Sequence, residues 1–323
     1  MKPLFIIPLL MASALLLTAC PRQNEQGAET ATTASTTELP QFNADSALAL
    51  VARQCEMGPR VPGSEAHRRC SRWLAATLAR WCDTVMVQQA PVTTALGSSF
   101  TMSNIIGVIH PQAERRMLLL AHWDCRPVAD ADPDPSRRGE PVMGANDAAS
   151  GTGVLLELAR TLQGTLPESL GVDILLVDAE DSGENDNEDS WGLGTQYWAA
   201  HPHVAGYSPL FGILLDMVGD SQARFAREYY STEQAGSFVD LVWQHAAGSH
   251  FVSDAGGAVT DDHTFVNRAG IPCIDIIDQR TDSGTGFFAQ WHTTDDTMTH
   301  ISAATLGEVG QTLVAVLFDL ANQ

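Results

Sequence analysis

The sequence is poor in positive charge, in thiol metal motifs and in the marks of covalent hydrolases. Lysine and arginine number 18 against 39 aspartates and glutamates, a formal net charge of −21. So acidic a chain repels phosphate backbones, and no basic stripe interrupts it, so no nucleic-acid partner is expected. None of the six cysteines stands in a C-x-x-C spacing, which argues against a thiolate zinc site. Ser150 and Ser182 sit in no nucleophile-elbow sequence, which argues against a serine hydrolase. The acidic stretches 130–134 and 184–189 lack the EF-hand pattern and read as solvated loops. There is no internal repeat and no second linker. What remains is a 323-residue chain, 44% hydrophobic and 18% charged, enough for one large α/β domain or two small ones.

Residues 1–19 read as a signal peptide. Lys2 supplies the positive start, and residues 4–17 an apolar stretch too short for a stable membrane span. Leu17-Thr18-Ala19-Cys20 resembles a bacterial lipobox, in which Cys20 is lipidated and becomes the mature N-terminus. Pro rather than Asp at position 21 points, by analogy with Gram-negative sorting, to the periplasmic face of the outer membrane. Residues 20–40 are almost devoid of apolar side chains and read as a lipidated cysteine on a flexible tether, with 41–323 as the catalytic domain. Cys55, Cys70, Cys82, Cys125 and Cys273 are odd in number, so at least one stays unpaired. The first three lie close enough in sequence to suggest a pair, although Cys70 also fits an apolar helix face.

Short, unbroken apolar runs alternate with helical patterns. The runs are 117–121, 173–177, 211–215 and 271–277, each of a length that fits a strand buried on both faces. Helices are expected at 151–162, 236–247, 262–269 with Gly270 closing it, and 302–321, and behind a Ser64 cap. This predicts a single α/β domain with a mostly parallel central sheet flanked by helices. Three of the runs end in acids, or in His with Asp, where open parallel sheets bind ligands. The polar residues at these ends are His122, Asp124, Asp147, Glu180, Asp181, Asp216, Asp262 and His292. Carboxylate and imidazole without thiolate suit a catalytic zinc with an open position. Any one of these acids serves equally well as a helix cap, so the joint order carries the reading.

That order resembles the zinc aminopeptidase and glutaminyl cyclase superfamily from about residue 45 to the C-terminus. His122-x-Asp124 follows one strand, Gly144-Ala145-Asn146-Asp147 precedes a helix, Glu180-Asp181 follows the next strand, Asp216 ends a further one, and His292 lies near the C-terminus. Within the superfamily, Trp291-His292-Thr293-x-Asp295-Asp296, Asp261-Asp262-His263 before a helix, and Trp191-Gly192-x-Gly194 look like glutaminyl cyclases of the animal type in a bacterial form. Glu180-Asp181 departs from the Glu-Glu pair of the animal enzymes.

The resemblance implies conversion of an N-terminal glutamine on peptides or proteins to pyroglutamate, with release of ammonia. It implies one zinc held by Asp147, Asp181 and His292, proton transfer by Glu180, and proton sharing by Asp216 and Asp262. Trp191, Phe287 and Trp291 would line the pocket, and His122 and Asp124 would hold a second metal or support the site. The alternative is a two-zinc aminopeptidase, in which His122 and Asp216 bind the second ion. A non-catalytic receptor on the same fold is disfavoured, because no ligand or catalytic acid is missing.

Overall fold

The four apolar runs become neighbouring strands of one sheet. A computed structural model describes residues 39–281 and 283–323, which form a single unit. The expected signal peptide, Cys20 and nearly all of the tether lie outside the described residues. The strands are β1 (Thr84–Thr93), β2 (Ser99–Ile109), β3 (Arg116–His122), β4 (Gly171–Val177), β5 (Gly212–Asp216), β6 (Phe225–Arg227), β7 (Phe251–Ala255) and β8 (Cys273–Ile277). The main sheet runs β1-β2-β4-β3-β5-β8, while β6 and β7 pair apart from it. β4, β3, β5 and β8 are mutually parallel, and β1 and β2 join as an antiparallel edge. The sheet is therefore mixed but mostly parallel, as expected. The antiparallel edge is not legible in the sequence, because β1 mixes polar and apolar residues and is exposed at alternate positions.

Strand alternation sorts the core into two layers. Leu119, Ala121, Ile174, Leu176, Ile213, Leu215, Ile274 and Ile276 face the larger layer, built on helices α1 (Ala44–Cys55), α2 (Glu65–Leu78), α3 (Ala149–Leu162), α5 (Tyr229–Gln244) and α7 (Ala303–Ala321). Leu118, Leu120, Leu175, Val177 and Leu214 face the smaller layer with α4 (Leu193–Ala200) and α6 (Asp262–Arg268). Burial on both faces is why these strands read as solid apolar runs. The helix expected at 236 begins at Tyr229, because Glu228 caps it by accepting the N–H groups of Tyr230 and Ser231. Ser64 caps α2 as expected. At Gly151 a β-carbon would collide with the Leu215 carbonyl, so α3 starts in direct contact with β5 and fixes the loop before it. All five cysteines of the described residues are free, so no pair forms among Cys55, Cys70 and Cys82, and Cys70 is plain core.

Candidate metal centre and active site

The parallel strands all end on one side of the sheet, and the loops that follow them deliver the polar side chains to one place. Asp147 comes from the β3–α3 loop, Glu180 and Asp181 follow β4, Asp216 ends β5, Asp261 caps α6, and His292 lies between β8 and α7. These six residues line one cavity of about 260 Å³.

Asp147, Asp181 and His292 present ligand atoms within 4.8 Å of one another. His292 Nε2 lies 3.1 Å from Asp181 Oδ1 and 3.6 Å from Asp147 Oδ2. Both Asp181 oxygens are buried and accept no hydrogen bond. An orphaned buried carboxylate is costly, and a cation between these three side chains removes the cost. Two carboxylates and an imidazole suit a catalytic zinc, so the residues fit the metal implied by the sequence.

His122, Asp147 and Asp216 form a second such group, with a different geometry. His122 Nε2 is 3.0 Å from Asp147 Oδ1, and hydrogen-bonds Asp216 Oδ1 at 3.1 Å. Here the imidazole already serves the carboxylates. Asp124 plays neither ligand role. Its two oxygens accept the backbone N–H groups of Glu180 and Asp181, at 3.1 and 3.3 Å, and so fix the loop that carries both acids. A third group joins Asp261, on the cavity wall, to His263 and Asp275, which are buried behind it, with His263 Nε2 3.2 Å from Glu228 Oε2.

Burial dominates the protonation of the acids. It pushes Glu180 well above the usual carboxylate range, with Asp261 and Asp181 adding to the rise against His122. It lifts Asp216 to about 6 with help from Asp147, and Asp261 to about 7 with help from Asp216. Asp262, assigned from the sequence to the proton-sharing set, is not on the cavity wall; Asp261 is. Asp262 is wholly buried behind it, close to Gly192, and burial followed by the charge of Asp261 raises it to about 8. Two adjacent aspartates offer no sequence signal of which one faces the cavity.

The three expected aromatics all line the cavity. Trp291 stacks on His292 with centroids 3.6 Å apart, and Phe287 lies 4.9 Å from Trp291. Trp191 lies against Gly183, where a β-carbon would enter its ring, and donates its indole N–H to the Glu184 carbonyl at 3.1 Å. Ala179, Met217 and His292 all have φ between +51° and +59°, a strained region for residues with a side chain. Each is a site residue or adjoins one, as expected where a site over-determines its backbone.

Several contributors escape the sequence pattern. Asp130 belongs to the stretch read as a solvated loop; it is exposed, as that reading expects, yet it is also tied to the site. Its carboxylate accepts two hydrogen bonds from buried Arg126, at 2.8 and 2.6 Å, and lies 3.5 Å from His292 Nδ1. Asp132 accepts from the Thr294 N–H and hydroxyl, at 3.0 and 2.5 Å, so this loop is tied to the His292 segment. Arg126 also lies 3.6 Å from Asp181 Oδ1 and 5.0 Å under the Trp191 ring. Asp296 accepts the N–H groups of Asn146 and Asp147, at 2.8 and 3.1 Å. Buried Arg60 donates to the Met143 and Gly144 carbonyls of the same loop. Such roles depend on long-range contacts and leave no local pattern.

A family model described as peptidase family M28 matches residues 104–317. Among solved structures, the chain is similar to a glutaminyl cyclase from Porphyromonas gingivalis, at 45% identity and a TM-score of 0.85, over 87% of this chain and 99% of that one. It is equally similar to a Zn-dependent exopeptidase from Parabacteroides distasonis, at 45% identity and a TM-score of 0.85, over 87% and 100%. It is 25% identical over 288 residues to a glutaminyl-peptide cyclotransferase-like protein of Bos taurus, over 80% of this chain and 71% of that one.

Proposed function

The chain belongs to peptidase family M28, and from that premise we propose that it is a zinc-dependent glutaminyl cyclase, converting the N-terminal glutamine of peptides to pyroglutamate. The observation that carries the reading is the cavity itself. It sets an orphaned Asp181 beside Asp147 and His292, a Glu180 kept protonatable by burial, and walls of Trp191, Phe287 and Trp291.

Asp147, Asp181 and His292 would hold the zinc, which when bound would supply Lewis-acid polarisation of the γ-carboxamide. The protein does the rest. The aromatic walls confine the glutamine side chain and exclude water, so that its γ-carbon and α-amine meet as one molecule, where proximity alone is worth many orders of magnitude. The new bond joins the α-nitrogen to the γ-carbon, and the bond to the amide nitrogen breaks. Glu180 takes the proton that the α-amine loses and gives it to the departing nitrogen, which leaves as ammonia. Asp216 and Asp261 line the same cavity as Glu180 and hold the shared protons with it as one set, with Asp262 behind them.

One zinc per chain fits this reading because no activated water is required for an intramolecular attack, and His122 lies between Asp147 and Asp216 at 3.0 and 3.1 Å. The domain bounds, the tether and the anchor at Cys20 belong to the same proposal, and rest on the N-terminal sequence alone.

The test is mass spectrometry of one peptide beginning with Gln and one beginning with Leu, each incubated with the domain from about residue 40 onward, with Glu180→Gln as control. Loss of ammonia from the Gln peptide alone, abolished in the variant, is the expected result. Removal of the first residue from either peptide would make the protein an aminopeptidase.

A further inference from the structure

A second cavity, of about 450 Å³, adjoins the first. The two share Ala258, Val259 and Phe287, so one wall separates and connects them. The first cavity, at about 260 Å³, is smaller than the roughly 300–1,000 Å³ of sites that enclose a drug-sized ligand. It suits one residue, and a peptide bound there by its first residue must leave through the mouth.

From this continuity we infer that the second cavity is a binding site for the peptide residues that follow the N-terminal glutamine. The inference rests on the cyclase reading above. The lining fits an extended, uncharged peptide stretch. Gln279 fixes the wall by accepting the Gly257 N–H at 3.0 Å and donating to its carbonyl at 3.1 Å. Both guanidinium groups on the lining are already neutralised: Arg280 by Asp220 at 2.6 Å and Asp278 at 2.8 Å, and Arg224 by Asp254. With three aspartates on two arginines the set carries one net negative charge, so no positive charge is left to recruit an anion. The Ala258 N–H and carbonyl, on the shared wall, have no backbone or side-chain partner among the described residues, and can pair with a peptide main chain. Another way out is a smaller cleft of about 170 Å³ that touches the first cavity through Glu188 and Thr260. It is crossed by the contact of Glu188 with Arg268, at 3.4 Å, and offers a peptide less room.

Gly257 gives a clean test. A β-carbon there meets nothing within 4 Å, so a large side chain can be added without disturbing the fold. Steady-state kinetics are compared on glutaminamide and on the amide of Gln-Ala-Ala, for the wild type, Gly257→Trp and Arg268→Trp. The wild type should favour the tripeptide by about tenfold in kcat/KM, carried by KM. Gly257→Trp should erase that gain and turn over glutaminamide at the wild-type rate, while Arg268→Trp should keep the gain. Thr285→Trp fills the same cavity from another part of its lining, and serves if the first variant does not fold. Equal kcat/KM for both substrates in the wild type, or a gain that survives both cavity-filling variants, would overturn the proposal. So would a gain lost only in Arg268→Trp, which would place the peptide in the smaller cleft. Failure of the wild type to cyclise glutaminamide would instead sink the cyclase reading, and this inference with it.

Discussion

Asp173 and Asp181 stand at opposite ends of β4, both buried, and their environments are opposites. Asp173, near the start of the strand, accepts two hydrogen bonds from Arg116 at 2.7 Å and one from the Tyr207 hydroxyl at 2.8 Å. Burial alone would raise its carboxyl, but the nearby His203 and Arg116 outweigh burial and hold it below the usual range. Asp181, in the loop beyond the strand's end, accepts nothing, and burial with the neighbouring Asp147 pushes it up. One end of the sheet is satisfied and serves stability. The other is left short of positive charge, and three of the four non-glycine residues with positive φ among the described residues, Ala179, Met217 and His292, lie there, the fourth being His110 at the satisfied end. A fold that tolerates such a cluster does so for a ligand, here a metal and a polar substrate.

Four predictions break or sharpen this contrast. The largest effect belongs to Glu180→Gln. Removing the group that carries the proton should lower kcat by about 10²–10⁴-fold, with the thermal midpoint unchanged or raised, as read by ammonia release and by melting. Next comes Asp173→Asn at the satisfied end. It leaves half-buried Arg116 without its charge partner, and should cost about 1–3 kcal/mol in denaturant unfolding while the folded fraction keeps its kcat.

Asp130→Asn loosens the group beside His292 Nδ1 and releases one partner of Arg126. It should weaken zinc binding by about 10–100-fold, measured by competition with a chelator. An unchanged affinity would return Asp130 to the role of a solvated loop residue.

The smallest effect is a pH signature. A carboxyl raised in the folded state destabilises as pH climbs from its unfolded value, about 3.9, towards its folded one, about 8 for Asp262. Asp262→Asn should therefore raise the melting temperature at pH 8 by roughly 2–4 °C for each kcal/mol recovered, with no gain at pH 4, where the wild-type carboxyl is already neutral. Asp173 has the opposite sign: its contribution is present above about pH 3.9 and is lost as pH falls below that value.

Much of this architecture is legible in the sequence because the relevant signals are local. Strands buried on both faces show as apolar runs, and residues 117–121 and 173–177 lie inside β3 and β4. Strand ends place ligands, so the order of His122, Asp147, Glu180, Asp181, Asp216 and His292 along the chain already points to one shared site. The antiparallel β1 leaves no such signal, because an edge strand keeps polar positions. Arg60 is silent in the sequence, and Asp296 stands in the motif around His292 without showing its role, because both act by holding residues distant along the chain. Asp296 is 149 positions from the Asp147 N–H that it accepts. The choice between Asp261 and Asp262 turns on the orientation of the first turn of α6, which adjacent identical residues cannot reveal.

The central claim is that one metal, set between Asp147, Asp181 and His292, suffices for cyclisation. It is tested most directly by titrating zinc into chelator-stripped protein while following ammonia release from a Gln peptide. Activity that rises linearly and saturates at one equivalent of zinc per chain is the predicted result. A requirement for a second equivalent would contradict the claim, and would return His122 and Asp216 to the role of metal ligands.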